Sequence, residues 1–573
     1  MRRLLFALSA ATMLADAATA PARPAFIKPV QRPNILLIVL DDVGYSDFGS
    51  YGSEIRTPAI DALAKGGLRY NRFDTRAVCS ATRAALLTGR NNQSVGMESL
   101  ASVRNRRDPA NTATDRGEMP ANAETMAQAL SRAGYATYAV GKWHLAPDYD
   151  APPKGPAASW PLQRGFQSYY GFIGGWTDQY KPTLVEGNAP VPTPARAGYH
   201  LSEDLVDHAI AAFDKKPNDK PAFVYLAFGA GHSPIQVPRR YIDSYAGVYE
   251  RGWDVLREER FARQKKMGLV PHGTQLSPRN AGDAAWNSLD PVRRRVFARF
   301  MATYAGFITH TDEQIGRLID HLKASGALDN TLVMVISDNG AASEAQPDGA
   351  FRVPYGDRTT VEQMDASLDE LGGPTTQALY QRPWAMLGST PFPRYKLWPN
   401  AGGIRAPLVV SWKGHLASPG GIRTQRVDAI DLAPTLLEAA GTRFSASIAG
   451  VKQLPVAGRS ISATFRSPKA PGRRSQFFGL YANRAIYSGM WEAVAMRPCG
   501  GDISTERWQL FDSSRDFAQA RDVAAINPAV LKRLKRLWQQ QVDTWVGQPL
   551  AGQQPIAVCK YMRMGDAFAS QGD

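Results

Sequence analysis

The sequence predicts an α/β protein: a mixed, mostly parallel sheet flanked by helices over residues 33–441, then a smaller C-terminal α+β domain over 442–573. Three observations point to it. Short continuous apolar runs rich in β-branched residues recur along the chain, as strands covered on both faces require. Segments of amphipathic helical spacing separate them, and strands alternating with helices imply parallel crossovers. After about Gly441 this alternation stops. The 573 residues exceed what one hydrophobic core usually organises. Disorder is excluded by 44% hydrophobic against 21% charged residues, and 50 glycines with 40 prolines, without a collagen-like period, indicate a loop-rich, enzyme-sized chain.

In chain order, Arg2 and Arg3 precede an apolar run from Leu4 to Leu14 and small residues through Ala20, the pattern of a signal peptide over 1–20. A buried N-terminal helix is the alternative. Asn34–Leu40 reads as the first strand, stopped by Asp41-Asp42. Thr57-Pro58 opens a helix that Gly66-Gly67 closes. Strand-like runs follow at 136–140, 223–228, 331–336 and 408–411, and helical spacing at 124–133, 204–213 and 300–322. Three insertions, 145–200, 236–300 and 341–395, interrupt the series. Within them 147–161 and 181–197 are rich in Pro and Ala and read as irregular loops. The stretch 253–266 reads as a charged helix, and 341–395 as a long ordered loop over the site. Beyond 441, strands are expected at 475–481 and 492–496, and a basic amphipathic helix at 529–545. No stretch after the N-terminal one approaches the roughly 20 apolar residues of a membrane span.

In such sheets ligands sit at the carboxyl ends of the strands. Asp41 and Asp42 follow the first run, Lys142 and His144 the second, His232 the third, and Asp338 with Asn339 the fourth. One Asp-Asp after a strand is usually a turn or cap. Four strands ending in residues able to bind metal, anion or proton along one sheet edge mark a site. The net charge of +15 favours anionic partners. Its arginines and lysines are dispersed and not interleaved with aromatics, which argues against a nucleic-acid binder. In an exported protein Cys499 and Cys559 are expected to form a disulfide, with two buried thiols as the alternative, leaving Cys79 alone.

Cys79 begins Cys-Ser-Ala-Thr-Arg-Ala-Ala-Leu-Leu-Thr-Gly-Arg, residues 79–90, whose spacing places it at a helix N-terminus. Taken alone, that suggests a low-pKa nucleophilic thiolate. The stretch resembles the signature of the type I sulfatases, Cys-x-Pro-x-Arg followed by Leu-Thr-Gly-Arg, in which the cysteine is oxidised to formylglycine. Asp41-Asp42, Gly141-Lys142-Trp143-His144, His232 in Gly-His-Ser-Pro, Ser337-Asp338-Asn339-Gly340, and Lys396 ahead of Gly402-Gly403-Ile404-Arg405 fall in family order. The segments 52–58, 251–254 and 257–264 are similar to the bacterial arylsulfatase branch. The departure is Ala81, where the family usually has Pro. That Pro is a major determinant for the oxygen-dependent maturation enzyme, whereas a radical-type maturase tolerates Ala.

The resemblance implies an alkaline-phosphatase-like fold and a sulfuric ester hydrolase, an arylsulfatase that cleaves small-molecule aryl sulfate esters to phenol and sulfate; the signal-peptide pattern places it in the periplasm or outside the cell. The resemblance further implies a formylglycine-generating maturation enzyme as partner. Formylglycine hydrate at position 79 would attack sulfur with one hydroxyl and release sulfate through the other. Asp41, Asp42, Asp338 and Asn339 offer only oxygen ligands, which selects a hard divalent cation, Ca²⁺ first and Mg²⁺ second. By resemblance Arg83 holds the side chain at 79, Lys142 and Lys396 clamp sulfate oxygens, and His144 takes the proton during sulfate release. His232 would be the general acid for the leaving group, and Asp338 a base for the attacking hydroxyl. The rival readings are a phosphonate monoester or phosphodiester hydrolase using the same site, and an unmodified, non-catalytic sulfate- or glycan-binding relative.

Overall fold

A computed structural model describes residues 32–550 apart from 104–112, 153–154, 156, 346, 354–356, 481 and 497–505. The signal peptide expected over 1–20 and the pairing of Cys499 with Cys559 lie outside the described residues.

The main sheet has eleven strands: β1 (Asn34–Leu40), β2 (Leu68–Asp74), β3 (Ala136–Lys142), β4 (Ser168–Phe172), β5 (Leu184–Glu186), β6 (Ala189–Val191), β7 (Ala222–Ala227), β8 (Thr331–Ser337), β9 (Arg405–Ser411), β10 (Ile422–Arg423) and β11 (Val427–Asp428). Their order is β10-β2-β9-β8-β1-β7-β3-β4-β5-β6, with β11 also paired to β2. The central series β8-β1-β7-β3-β4 is parallel throughout. Alternation in β1 shows why its run is continuously apolar. Leu36, Ile38 and Leu40 enter one core with the helices Pro58–Gly66, Leu201–Lys215 and Pro291–Ala324. Ile35, Leu37 and Val39 enter the other, with Cys79–Thr88, Met126–Arg132 and Ala429–Ala439.

The run expected at 408–411 is the end of β9, which lies antiparallel between β8 and β2. The reason is where the chain re-enters. The segment after β8 stays at the sheet's carboxyl edge, Gly340 N donating to Gly403 O at 3.0 Å, so the next strand starts at that edge and runs back. The 181–197 segment is not wholly irregular, since it folds β5 and β6 into a hairpin around Gly187, whose φ of 59° is left-handed. Pro190 is tolerated because β6 is the sheet's edge strand. β2 has no apolar signature. Its Asn71 and Arg72 are buried by donating to Leu269 O at 2.8 Å and Ser513 O at 3.0 Å. The helix expected from 300 begins at Pro291, capped by the Asp290 carboxylate on Arg293 N.

The C-terminal part holds a two-stranded ribbon, β12 (Ser447–Ile448) and β13 (Val451–Lys452), and a four-stranded antiparallel sheet. Its strands are β14 (Ser475–Leu480), β15 (Asn483–Ser488), β16 (Trp491–Met496) and β17 (Arg507–Asp512). Leu534, Trp538 and Val542, spaced by four on the helix Pro528–Trp545, cover this sheet through Phe477, Ile486, Ala493 and Leu510.

Candidate active site

Four adjacent parallel strands deliver their carboxyl ends to one place. Asp41 and Asp42 leave β1, Lys142 ends β3 with His144 two residues on, His232 follows β7, and Asp338 with Asn339 leaves β8. The turns are sharp: Asp42 at φ 59° and His144 at φ 51° adopt left-handed backbone, which non-glycine residues hold only when their surroundings over-determine it.

Cys79 opens the helix Cys79–Thr88 behind Val78, and Gly89 closes it at φ 62°. One turn on, Arg83 is wholly buried and reaches Asp338 Oδ2 from Nε at 2.9 Å and from Nη2 at 2.7 Å. Its Nη1 donates to Lys142 O at 3.1 Å. Cys79 Sγ lies 3.0 Å from His144 Nδ1, while Nε2 of that ring lies 3.2 Å from Ser102 Oγ. Lys142 Nζ contacts Asp41 Oδ2 at 2.5 Å. Lys396 Nζ contacts Asp42 Oδ2 at 2.8 Å and Glu344 Oε1 at 2.5 Å. Asn339 Nδ2 donates to Asp42 Oδ1 at 2.6 Å. His232 Nδ1 faces Ser233 O at 2.7 Å, so it carries the ring proton there, and Nε2 faces Asp42 Oδ2 at 3.6 Å. All the residues singled out in the sequence, apart from Cys499 and Cys559, thus meet in one buried group.

Electrostatics follow from burial. Desolvation pushes the Asp41 carboxyl well above its ordinary range, against the pull of Lys142. For Asp338 burial acts in the same sense but Arg83 and Lys142 outweigh it, holding the carboxyl low. Both imidazoles are driven well below 6.5, by burial first, then by Lys142 and Arg83 at His144 and by Lys396 and Lys142 at His232. Burial raises the Cys79 thiol to about 11 despite Lys142 and Lys396. The low-pKa thiolate suggested by the helix N-terminus alone is therefore not what this environment produces, because desolvation outweighs the pull of Lys142 and Lys396.

The donor set fits a hard divalent cation. Asp41, Cys79 and Asp338 each bring one atom within 4.8 Å of the others. Asp41 Oδ1 and Asn339 Oδ1 are buried with no hydrogen-bond partner among the described residues, a cost that a cation bound by oxygens would remove. The neighbouring group of Asp42, His232 and Glu344 already surrounds the Lys396 ammonium.

Sequence reasoning missed Ser102 and Glu344. Both sit outside recognisable elements, and no periodicity or motif separates them from other loop residues. Gly175 was missed for the same reason: a Cβ there would lie 2.8 Å from Cε1 and Nε2 of His144.

The chain matches the family model for Sulfatase over residues 33–442. It is 32% identical over 528 residues to an uncharacterized sulfatase of Schizosaccharomyces pombe, covering 89% of this chain and 93% of that protein. It is 33% identical over 466 residues to an arylsulfatase of Klebsiella aerogenes, covering 78% and 95%. Among solved structures, that of Ps i-CgsB matches with a TM-score of 0.64 at 23% identity, over 94% of this chain and 99% of that one, a likeness in fold. With the alkaline-phosphatase-like sheet, the strand-end carboxylates and these relatives together, the chain belongs to the sulfatase family and is a sulfuric ester hydrolase.

Proposed function

We propose that the protein is an exported arylsulfatase that cleaves aryl sulfate esters to phenol and sulfate through a formylglycine formed from Cys79. The observation that carries this is the convergence of Cys79, His144, Arg83 and the carboxylates Asp41 and Asp338 in one buried group. As its hydrate, formylglycine supplies two geminal hydroxyls, one to attack sulfur and one to release sulfate. A Ca²⁺ or Mg²⁺ ion held by Asp41, Asp42, Asp338 and Asn339 would supply Lewis acidity and charge at a sulfate oxygen.

The chain's own residues divide the remaining work. Arg83 holds the Asp338 carboxylate and orients it toward position 79, where that carboxylate can accept a proton from the attacking hydroxyl. Lys142 and Lys396 bring two ammonium groups to the sulfate oxygens from opposite sides of the strand row. His144, neutral through burial and with Nδ1 turned to position 79, accepts the proton when sulfate leaves. His232, its Nδ1 proton held by Ser233 O, acts as general acid in its imidazolium form, in which Nε2 carries a second proton, taken up from solvent, for the departing phenolate oxygen. The expected periplasmic setting rests on the signal-peptide pattern of residues 1–20. No helix of the described residues is long and apolar enough to cross a membrane.

Mass spectrometry of the tryptic peptide from Ala77 to Arg83, from protein of the native host, is the direct test: formylglycine at position 79 is expected, and a thiol throughout would end the proposal. Matched aryl sulfate and aryl phosphonate monoesters should show faster turnover of the sulfate. A clear phosphonate preference would assign the site to phosphoryl esters instead. Cys79→Ala is expected to abolish turnover while leaving the thermal midpoint within a few degrees, because it removes one small buried group.

A further inference from the structure

We infer that Trp176 is the residue that contacts the leaving group, and that it selects sulfate esters whose alcohol is a flat aromatic ring. The inference rests on the arylsulfatase reading of the site and names the residue that recognises the aryl group.

The segment after β4 crosses the site from one imidazole to the other. At its start Ile173 O accepts from His144 N at 3.0 Å, and Gly175 lies directly on the His144 ring, where no Cβ would fit. At its end Gln179 packs on Gly229, three residues before His232: a Cβ on Gly229 would lie 3.3 Å from Gln179 Nε2. The second anchor is fixed by hydrogen bonds that also hold the Thr177 and Asp178 side chains. Gln179 N donates to Gln236 Oε1 at 2.7 Å, Thr183 N to Thr177 Oγ1 at 2.9 Å, and Tyr180 N and Lys181 N both to Asp178 Oδ1 at 2.8 Å. Between these anchors Trp176 is 41% exposed, and among the described residues it is the one exposed Trp, Tyr or Phe.

Position and chemistry both bear on the substrate. Consecutive Cα atoms are about 3.8 Å apart, so the Trp176 backbone lies within roughly 8 Å of the His144 ring, a gap of the order of an indole's length. Cys79, Lys142 and Lys396 are buried, so an ester with its sulfate among them must extend its alcohol outward, past this segment. An indole on a loop anchored at both ends loses little conformational entropy when a ring stacks on it. The polar side chains beside it are already engaged, Asp178 with Gln236 Nε2 and two backbone N–H groups and Thr177 with Thr183, and Gly174 and Gly175 add no side chain. The surroundings therefore suit an aromatic ring better than a hydroxyl-rich sugar, whose polar groups would lack partners.

The test pairs Trp176→Ala and Trp176→Phe with ligands that differ only in the ring. Calorimetric titration of the mature, calcium-loaded protein with phenylphosphonate and methylphosphonate reads binding without turnover. Trp176→Ala is expected to weaken phenylphosphonate roughly tenfold and leave methylphosphonate unchanged, with Trp176→Phe keeping most of the affinity. The KM for phenyl sulfate should rise by a similar factor with little change in kcat. Equal losses on both phosphonates, no loss on either, or an equal loss on a monosaccharide 6-sulfate would overturn the inference. A wild-type protein that hydrolyses no aryl sulfate would instead sink the arylsulfatase reading, and the phosphonate pair would still decide the role of Trp176.

Discussion

At the scale of single residues, the site shows how burial decides chemistry. Desolvation and two nearby ammonium groups favour the neutral His232 ring, whose Nδ1 proton is committed to Ser233 O, so donation from Nε2 requires the ring to take up a second proton first. A general acid matters most where the leaving group is least able to depart unaided. His232→Ala should therefore lower kcat/KM for esters of weakly acidic phenols on the order of a hundredfold, and that for activated nitrophenyl sulfates much less, measured as a steeper dependence on leaving-group pKa. Equal losses across the series would assign His232 a structural role. Two positions beyond the cysteine, Ala81 stands in the first turn of its helix, where the backbone N–H has no intrahelical acceptor. Proline there removes no hydrogen bond. Ala81→Pro is expected to leave the thermal midpoint nearly unchanged and to raise the formylglycine fraction in an aerobic host, read by mass spectrometry. An unchanged fraction would mean that the motif's Pro does not limit this chain's maturation.

At the scale of elements, the strand ends work because the turns after them are forced. Gly141 has φ 101°, and a Cβ on it would lie 1.9 Å from Ala227 O, so the close approach of β3 to β7 that presents Lys142 requires glycine. Helices are tied to the sheet by equally specific contacts. Asp312, on the long helix Pro291–Ala324, accepts from Ala59 N and Ile60 N, both at 2.9 Å, and so caps the helix Pro58–Gly66 from across the core. Thr57, at the N-cap position, makes no side-chain cap of its own. Asp312→Ala leaves one buried and one half-buried N–H group without acceptors and should cost about 2 kcal/mol, measured by urea denaturation. A change under about 0.5 kcal/mol would show that water or local rearrangement satisfies them.

At the scale of the whole molecule, the C-terminal sheet is joined to the main sheet by buried charge. Glu492 on β16 lies 2.5 Å from Arg426, 3.7 Å from Arg405 and 4.0 Å from Arg72, and it accepts from Gln519 Nε2 at 2.6 Å. Gln519 in turn accepts from Ala401 N, in the turn that leads into β9. Burial alone would raise the Glu492 carboxyl, but Arg426, Arg405 and Arg72 bring it down to about 2 from an ordinary 4.5. The folded state thus binds this proton more weakly than the unfolded chain. The stabilisation, about 3 kcal/mol, is present above pH 4.5 and is lost as pH falls toward 2. Glu492→Gln should therefore be less stable than wild type near neutrality by roughly that amount, with the gap closing below about pH 4 in thermal scans. A gap independent of pH would place the effect in packing.

The sequence by itself determined the parts whose signal is local: the apolar runs of β1, β3, β7 and β8, the helices between them, the residues at their carboxyl ends and the Cys79 segment. A strand buried on both faces must be continuously apolar, and a parallel series must bring its carboxyl ends to one edge, so these could be read without coordinates. Only the tertiary structure decided the rest. It placed β2 in the sheet although Arg69, Asn71 and Arg72 deny it an apolar pattern, because partners distant in sequence satisfy those polar groups. It turned β9 antiparallel, because the chain re-enters at the edge where β8 leaves it. It also brought Ser102, Glu344 and Gly175 to the site from short irregular segments, where position depends on long-range packing and leaves no period in the sequence.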